Sequence, residues 1–307
     1  MTSTAPETAA HGDPNRRDPG RRDPGRQDSE RRDSERRDSE HQDSEHRDSG
    51  RRDPWRRVRP LLAVVFWLAL WQVVALTVGS SVLLVGPWQV AVRMVQLAPA
   101  LDFWTTVGRT FGRITLGFVL AALVGVLLAT ASAVSRWAGA LVAPVVATIR
   151  STPVVSFIIL LLIWADVAWL ATIVSFLMTL PVVHTTVLTG IGQRDRALLE
   201  MAAVFRVPRR RRLLAVDVPG VLPYFAAACR TGVGQAWKSG IAAEVIGLPS
   251  GTVGERLYQG RLFLETADVL AWTVVVVLVA FACERLVLAA LRGLERRLSD
   301  GSEGIAT

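Results

Sequence analysis

Residues 200–224, EMAAVFRVPRRRRLLAVDVPGVLPY, decide the fold. This stretch separates two long apolar segments, residues 169–191 before it and 221–246 after it. Arg206 and Arg209 to Arg212 cannot lie in hydrocarbon, where a central charge costs roughly 2.5–3.5 kcal/mol even on the lenient insertion scale. The chain therefore leaves the bilayer here, and the arginines assign the loop to the cytoplasmic side. Within it, residues 197–207 are predicted as one short helix, with Leu198, Leu199, Met201, Ala202 and Phe205 on its apolar side and Pro208 at its end. A short helix with an apolar face, held between two spans, reads as a docking device.

The pattern E-x-A-A, then a basic turn, then x-V-x-x-P-x-x-x-P resembles the EAA loop of binding-protein-dependent ABC importer permeases. Glu200, Ala202 and Ala203 match it, and so do Pro219 and Pro223. In that family the loop helix fits a groove on a separate ATPase subunit, so the resemblance implies an ATPase-coupling role for this loop, Arg206 and Pro208 included. Where the family usually has glycine, this chain has Arg206.

Half of the 307 residues are hydrophobic and the net charge is +8. In a soluble protein that basicity would suggest nucleic acid. Here the arginines flank apolar runs, and membrane topology accounts for them without a nucleic-acid partner. Cys229 and Cys283 both lie in apolar segments, and neither a disulfide framework nor a metal site is expected.

Residues 1–55 form a separate region. From His11 to Trp55 a five-residue unit recurs (RRDPG, RQDSE, RRDSE and variants), with Asp at every fifth position from Asp13 to Asp53. Five residues turn a helix by about 500°, so no face accumulates. With few apolar residues and nearly balanced charge, this reads as a disordered cytoplasmic tail.

Six transmembrane helices are expected within 56–297, followed by a disordered tail at 298–307. The first span is 61–78. Residues 80–113 should lie outside, with two weakly amphipathic pieces at 88–97 and 103–113. The second span is 114–134, with a small-residue face of Gly117, Ala121, Ala122, Gly125 and Ala129. The apolar stretch 138–149 is interrupted by Pro144, Arg150 and Pro153 before the apolar run 154–165, and a third span, kinked by proline, is expected to begin at Arg150-Ser-Thr-Pro near the cytoplasmic boundary. The fourth, fifth and sixth spans are 169–191, 221–246 and 267–289, with an outside loop at 248–266. Inside segments then hold Arg56, Arg57, Arg59, Arg136, Arg150, Arg194, Arg196, the loop arginines, Arg292, Arg296 and Arg297. Outside segments hold only Arg93, Arg109, Arg113, Arg256 and Arg261, which places both termini in the cytoplasm of a multi-pass cell-membrane protein.

The fifth span carries the unusual chemistry. Arg230, Trp237 and Glu244 are seven apart, each rotated only about 20° from the last. They form one stripe among small residues, with Lys238, the one lysine in the chain, at its edge. Ionisable groups inside a span ordinarily meet a water-filled cavity or a protein partner. These four residues are therefore the expected translocation path. The alternative has Arg230 reaching the inner boundary and Glu244 the outer one. His184, beside Thr185 and Thr186, reads as a hydrogen-bonded structural residue, and Glu284 with Arg285 as a packing pair or interface anchors.

Two further stretches carry the resemblance. G-P-W-x-V with F-W-x-T-V-x-R-T-x-x-R-I-x-x-G-F, and A-W-K-x-G-I-A-A-E-V-I-G in the fifth span, are similar to the nitrate/sulfonate/taurine branch of these permeases. The resemblance covers about residues 60 to 297. It implies an all-α permease subunit with no cofactor of its own, working as a dimer with a second permease copy. Its partners would be ABC ATPase subunits holding ATP-Mg and an extracytoplasmic solute-binding protein. No phosphate-cradling G-x-x-x-x-G-K-[ST] loop occurs, so ATP hydrolysis belongs to another subunit. The implied solute is a small anion such as a sulfonate, taurine, nitrate or bicarbonate, with a vitamin-precursor heterocycle as the alternative. An ion-coupled secondary transporter is the rival class, and it would require an internal repeat of spans that the sequence does not display.

Overall fold

The computed structural model describes residues 55–80 and 84–303, and the repeat region lies outside them. The chain divides into two units, one ending at Phe66 and one beginning at Trp67. The first contributes the opening turns of α1 (Trp55–Val78), and the second holds everything described below.

All the described elements are helical. After α1 come α2 (Pro87–Leu97), α3 (Leu101–Val134), α4 (Arg136–Ser151), α5 (Val154–Trp164) and α6 (Val167–Gly192). The short α7 (Arg196–Val204), α8 (Arg209–Arg212) and a π-helical turn (Leu213–Asp217) lead into α9 (Val218–Gly247), α10 (Val253–Leu262) and α11 (Thr266–Glu303). Of the expected terminal tail, residues 298–303 thus continue the last helix.

Three of these helices, α3, α6 and α11 to Gly293, are long and apolar enough to cross a membrane, and the bent pair α4–α5 raises the number to four. The apolar part of α1 is shorter, Leu62–Val78. At 30 residues α9 is long enough. Its Arg230, Lys238 and Glu244, with many small residues, leave it less apolar than the other three.

Two expectations change. Residues 103–113 are not a separate outside piece; they are the opening turns of α3. Its buried positions (Phe103, Thr106, Thr110, Ile114, Gly117, Ala121) keep the three-to-four spacing of one helix face straight past Arg113. The stretch 138–149 is regular helix, with Pro144 accommodated inside α4. The break comes at Thr152–Pro153, where the pre-proline residue is extended (ψ 130°) and the axis turns by 104°. At 11 residues α5 reaches only about 16 Å, half of the hydrocarbon thickness, so 154–165 is not a span by itself.

The core is α6 packed between α3 and α9, with α11 on the far side of α9. Close approach is the rule. Thr172, Ser175 and Thr179, on one face of α6, donate to the carbonyls of Arg113 (3.0 Å), Ala236 (2.9 Å) and Gly232 (3.4 Å). A Cβ on Gly240 would stand 2.6 Å from Ser175 Oγ and 2.7 Å from Ile114 Cγ1, so only glycine fits there. His184 is buried on the same helix, with its Nε2 3.3 Å from Ser132 Oγ of α3. Cys229 and Cys283 are buried free thiols in one cluster with Ile114, Phe118 and Trp237.

Gly240→Val should therefore wedge α6 from α9. The expected loss is about 1–3 kcal/mol, the usual cost of overpacking. It would appear as a lower melting temperature of the purified protein in detergent, whereas Gly234→Ala, where nothing lies within 4 Å of a new Cβ, should leave it unchanged.

Candidate functional site

The arginine-rich loop folds as a hairpin pinned at its base. Arg194 Nε donates to the carbonyl of Ile191 (2.7 Å), and its Nη1 meets the Asp217 carboxylate. Arg212 Nε reaches the other oxygen of Asp217 at 3.3 Å. The ends of α6 and α9 are thereby tied together beneath α7. The Asp217 side chain is only 14% exposed, so this contact is worth more than an open surface pair. Asp217 is the only acid between Glu200 and Glu244. A lone carboxylate after four arginines was the signal that would have marked it.

On this base stands α7. Asp195 caps its start by accepting from Ala197 N (2.8 Å). Its end is a Schellman motif, with Val207 N to Ala202 O (2.9 Å) and Arg206 N to Ala203 O (3.1 Å). The motif demands a left-handed residue, and Arg206 takes it at φ 50°. This explains the helix stopping at Val204 rather than running to Pro208: the reversal at Arg206 has already ended it. The two alanines face opposite ways. Ala202 is buried against its own chain, while Glu200 and Ala203 are exposed, together with Met201, Val204 and Phe205. Pro208 is exposed as well, as are Pro219, in the first turn of α9, and Pro223 one turn on.

Along α9 the structure separates the three residues expected to form one stripe, and Lys238 at its edge, into buried and exposed pairs. Trp237 and Glu244 are buried in this chain, 4% and 0% exposed, because α3 and α10 cover them. Trp237 packs with Ile114 and Phe118, and its ring centre is 6.2 Å from that of Phe111. Arg230 and Lys238 stay exposed. Arg230 pairs with Glu284 of α11 at 3.3 Å, so Glu284 does not pair with Arg285, which stacks instead over Phe281 at 4.6 Å. Lys238 meets no carboxylate among the described residues. With Ala227, Thr231 and Gln235 it lies on the uncovered side of α9.

A family described as the binding-protein-dependent transport system inner membrane component matches residues 117–300, well over half of the chain. The chain belongs to this family. The taurine transport system permease protein of Escherichia coli is 27% identical over 75% of this chain and 84% of its own length. A permease protein of the same organism named for aliphatic sulfonates is 30% identical, covering 68% of this chain and 80% of that one. The nitrate import permease protein of Synechococcus elongatus is 28% identical, covering 62% and 73%. An amino acid ABC transporter crystallised with histidines matches with a TM-score of 0.51 at 17% identity, over 67% of this chain and 97% of that chain, which speaks to fold alone. The protein is thus a membrane permease component of an ABC importer, a subunit of a transporter rather than an enzyme. Such a component works with ATPase subunits and a solute-binding protein.

Arg206→Gly tests the loop's cap. Glycine takes a left-handed φ without the strain a side chain brings, so the change should steady α7 by about 1 kcal/mol. Slower hydrogen exchange of the Arg206 and Val207 amides would show it, and Arg206→Val should speed that exchange.

Proposed function

We propose that this permease binds its ATPase through the exposed side of α7 and moves a small anionic solute along the open side of α9, as one half of a homodimer with both termini in the cytoplasm. The observation that carries the docking assignment is the division of α7: Ala202 is used inside the chain, while Glu200, Ala203, Met201, Val204 and Phe205 have nothing over them. An apolar helix side on a rigid base is the shape that a groove on another protein accepts. The arginines around it support a cytoplasmic position, by the positive-inside rule.

Two observations support the anion. The relatives are named for taurine, aliphatic sulfonates and nitrate; nitrate and the sulfonates are anions, and taurine carries a sulfonate beside its ammonium group. Lys238 is an exposed cation about two turns beyond Arg230 along α9, without an ion-pair partner among the described residues. A charge held in a span at a desolvation cost is most simply explained by what passes it. A homodimer is supported by the same face, since Thr231, Gln235 and Lys238 are poorly suited to lipid and a second copy would enclose them. Arg230 joins them at the α7 end. ATP binding on the partner would then draw the two loops together and switch the path between its two openings.

Docking and path separate experimentally. Ala203→Asp should abolish co-purification of the ATPase while the permease still inserts and melts normally, because only the outer surface changes. Ala202→Asp should also lower the melting temperature, by burying a charge within the chain. Retained co-purification with Ala203→Asp would end the docking assignment. Lys238→Gln should keep the ATPase bound and lower uptake of taurine, sulfonate or nitrate by about tenfold, the equivalent of one lost charged contact. An unchanged rate would move the anion path elsewhere.

A further inference from the structure

At the end of α9 away from α7, one buried carboxylate holds three helices. Glu244 Oε2 accepts from Thr110 Oγ1 of α3 (2.9 Å) and from the backbone N–H of Gly254 in α10 (3.2 Å). Thr110 Oγ1 in turn accepts from Val253 N (3.0 Å), so the first amides of α10 converge on this pair. The fit is tight: a Cβ on Gly254 would collide with Glu244's own Cβ, and one on Gly251 (φ 69°) would meet the Arg109 guanidinium. Burying a carboxylate costs several kcal/mol unless donors replace its water; two donors and a helix amino end serve Oε2 here, while Oε1 has no hydrogen-bond partner among the described residues. Arg113 forms no ion pair with Glu244, and its Nη1 is likewise buried without a partner among the described residues. An apolar residue would fill the same space at lower cost. What the carboxylate adds is a directional bond between helices.

Its position gives that bond a use. The 30 residues of α9 form a rod of about 45 Å. One end is tied by Asp217 to Arg194 and Arg212, under the loop that carries α7. The other is tied by Glu244 to α10, which also pairs with α3 through Arg256 and Asp102. We propose that Glu244 is a positioning residue for transport: it makes α10 move with α9, so that a contact made on α10 by the solute-binding protein is transmitted along α9 to the ATPase loop, and the ATPase's closure is transmitted back. This rests on the docking role proposed for α7.

The test uses the assembled transporter in nanodiscs, with ATP and vanadate as the probe. Spin labels at Gln259→Cys on α10 or Arg196→Cys at the exposed start of α7, outside the docking side, in a background lacking Cys229 and Cys283, report distances between the two copies. In the parent, nucleotide trapping should shift both distances. Thr110→Val, which keeps the side-chain shape and removes the hydroxyl, should abolish the shift at 259 and leave that at 196. Thr110→Ser should restore it. Gly254→Ala, which pushes α10 off the carboxylate from the other side, should give the same split as Thr110→Val. If both variants keep the shift at 259, or if both lose the shift at 196 as well, the transmission role is overturned. If the parent shows no shift at 196, the docking role of α7 has failed instead. A parent that moves at 196 and not at 259 refutes the inference alone.

Discussion

Everything in this protein hangs on how closely α6 approaches its two neighbours. In a bilayer there is no hydrophobic gain from bringing apolar helices together, so van der Waals contact and hydrogen bonds must do it. The hydroxyls of Thr172, Ser175 and Thr179 reach backbone carbonyls on α3 and α9. Such bonds average about 0.6 kcal/mol each in a membrane protein. Three of them supply less than 2 kcal/mol by that measure, too little to hold the bundle. The larger contribution is the packing they mark. A Cβ on Gly240 would meet Ser175 and Ile114, and one on Gly125 would meet Val183 at 2.8 Å. The hydroxyls therefore set the register of helices that small residues allow to touch.

That register decides what the charges on α9 can do. With α6 and α3 against one side, Trp237 and Glu244 are enclosed and Lys238 is left open. Arg230, two turns nearer the loop, finds Glu284 on α11. A helix with three charged side chains is thus stable in the bundle because each has a different solution. One is paired across a helix boundary, one is hydrogen-bonded in the interior, and one is left facing outward. Of the three, Lys238 is the one without an ion-pair partner among the described residues.

The parts of this arrangement legible in the sequence were those governed by local rules. Apolar runs bounded by arginine marked 61–78, 114–134, 169–191, 221–246 and 267–289, and each lies within a helix. Tertiary packing was not legible. The seven-residue spacing of Arg230, Trp237 and Glu244 does place them on one helix face, but spacing cannot say what covers that face. At Trp237 it is α3, and at Glu244 it is Thr110 and the start of α10. Likewise Arg113 looked like the end of an outside piece. It is an interior position of α3, because the buried face continues through it.

The loop shows how much one backbone angle can settle. Four arginines and a proline suggested a helix that ran on until Pro208 stopped it. Instead Arg206 turns left-handed, two of the orphan carbonyls at the end of α7 find donors, and the helix ends at Val204. This stop keeps α7 to nine residues, about 14 Å. Two more helical residues would rotate the chain by about 200° before the basic turn. The arginines would then leave α7 on the opposite side, and Arg212 would no longer approach Asp217. The strain accepted at Arg206 and the ion pair at Asp217 are therefore one design: the first aims the chain, and the second holds it where it was aimed. Between them they leave Ala202 turned inward and Ala203 turned out, the orientation on which the docking proposed for α7 rests.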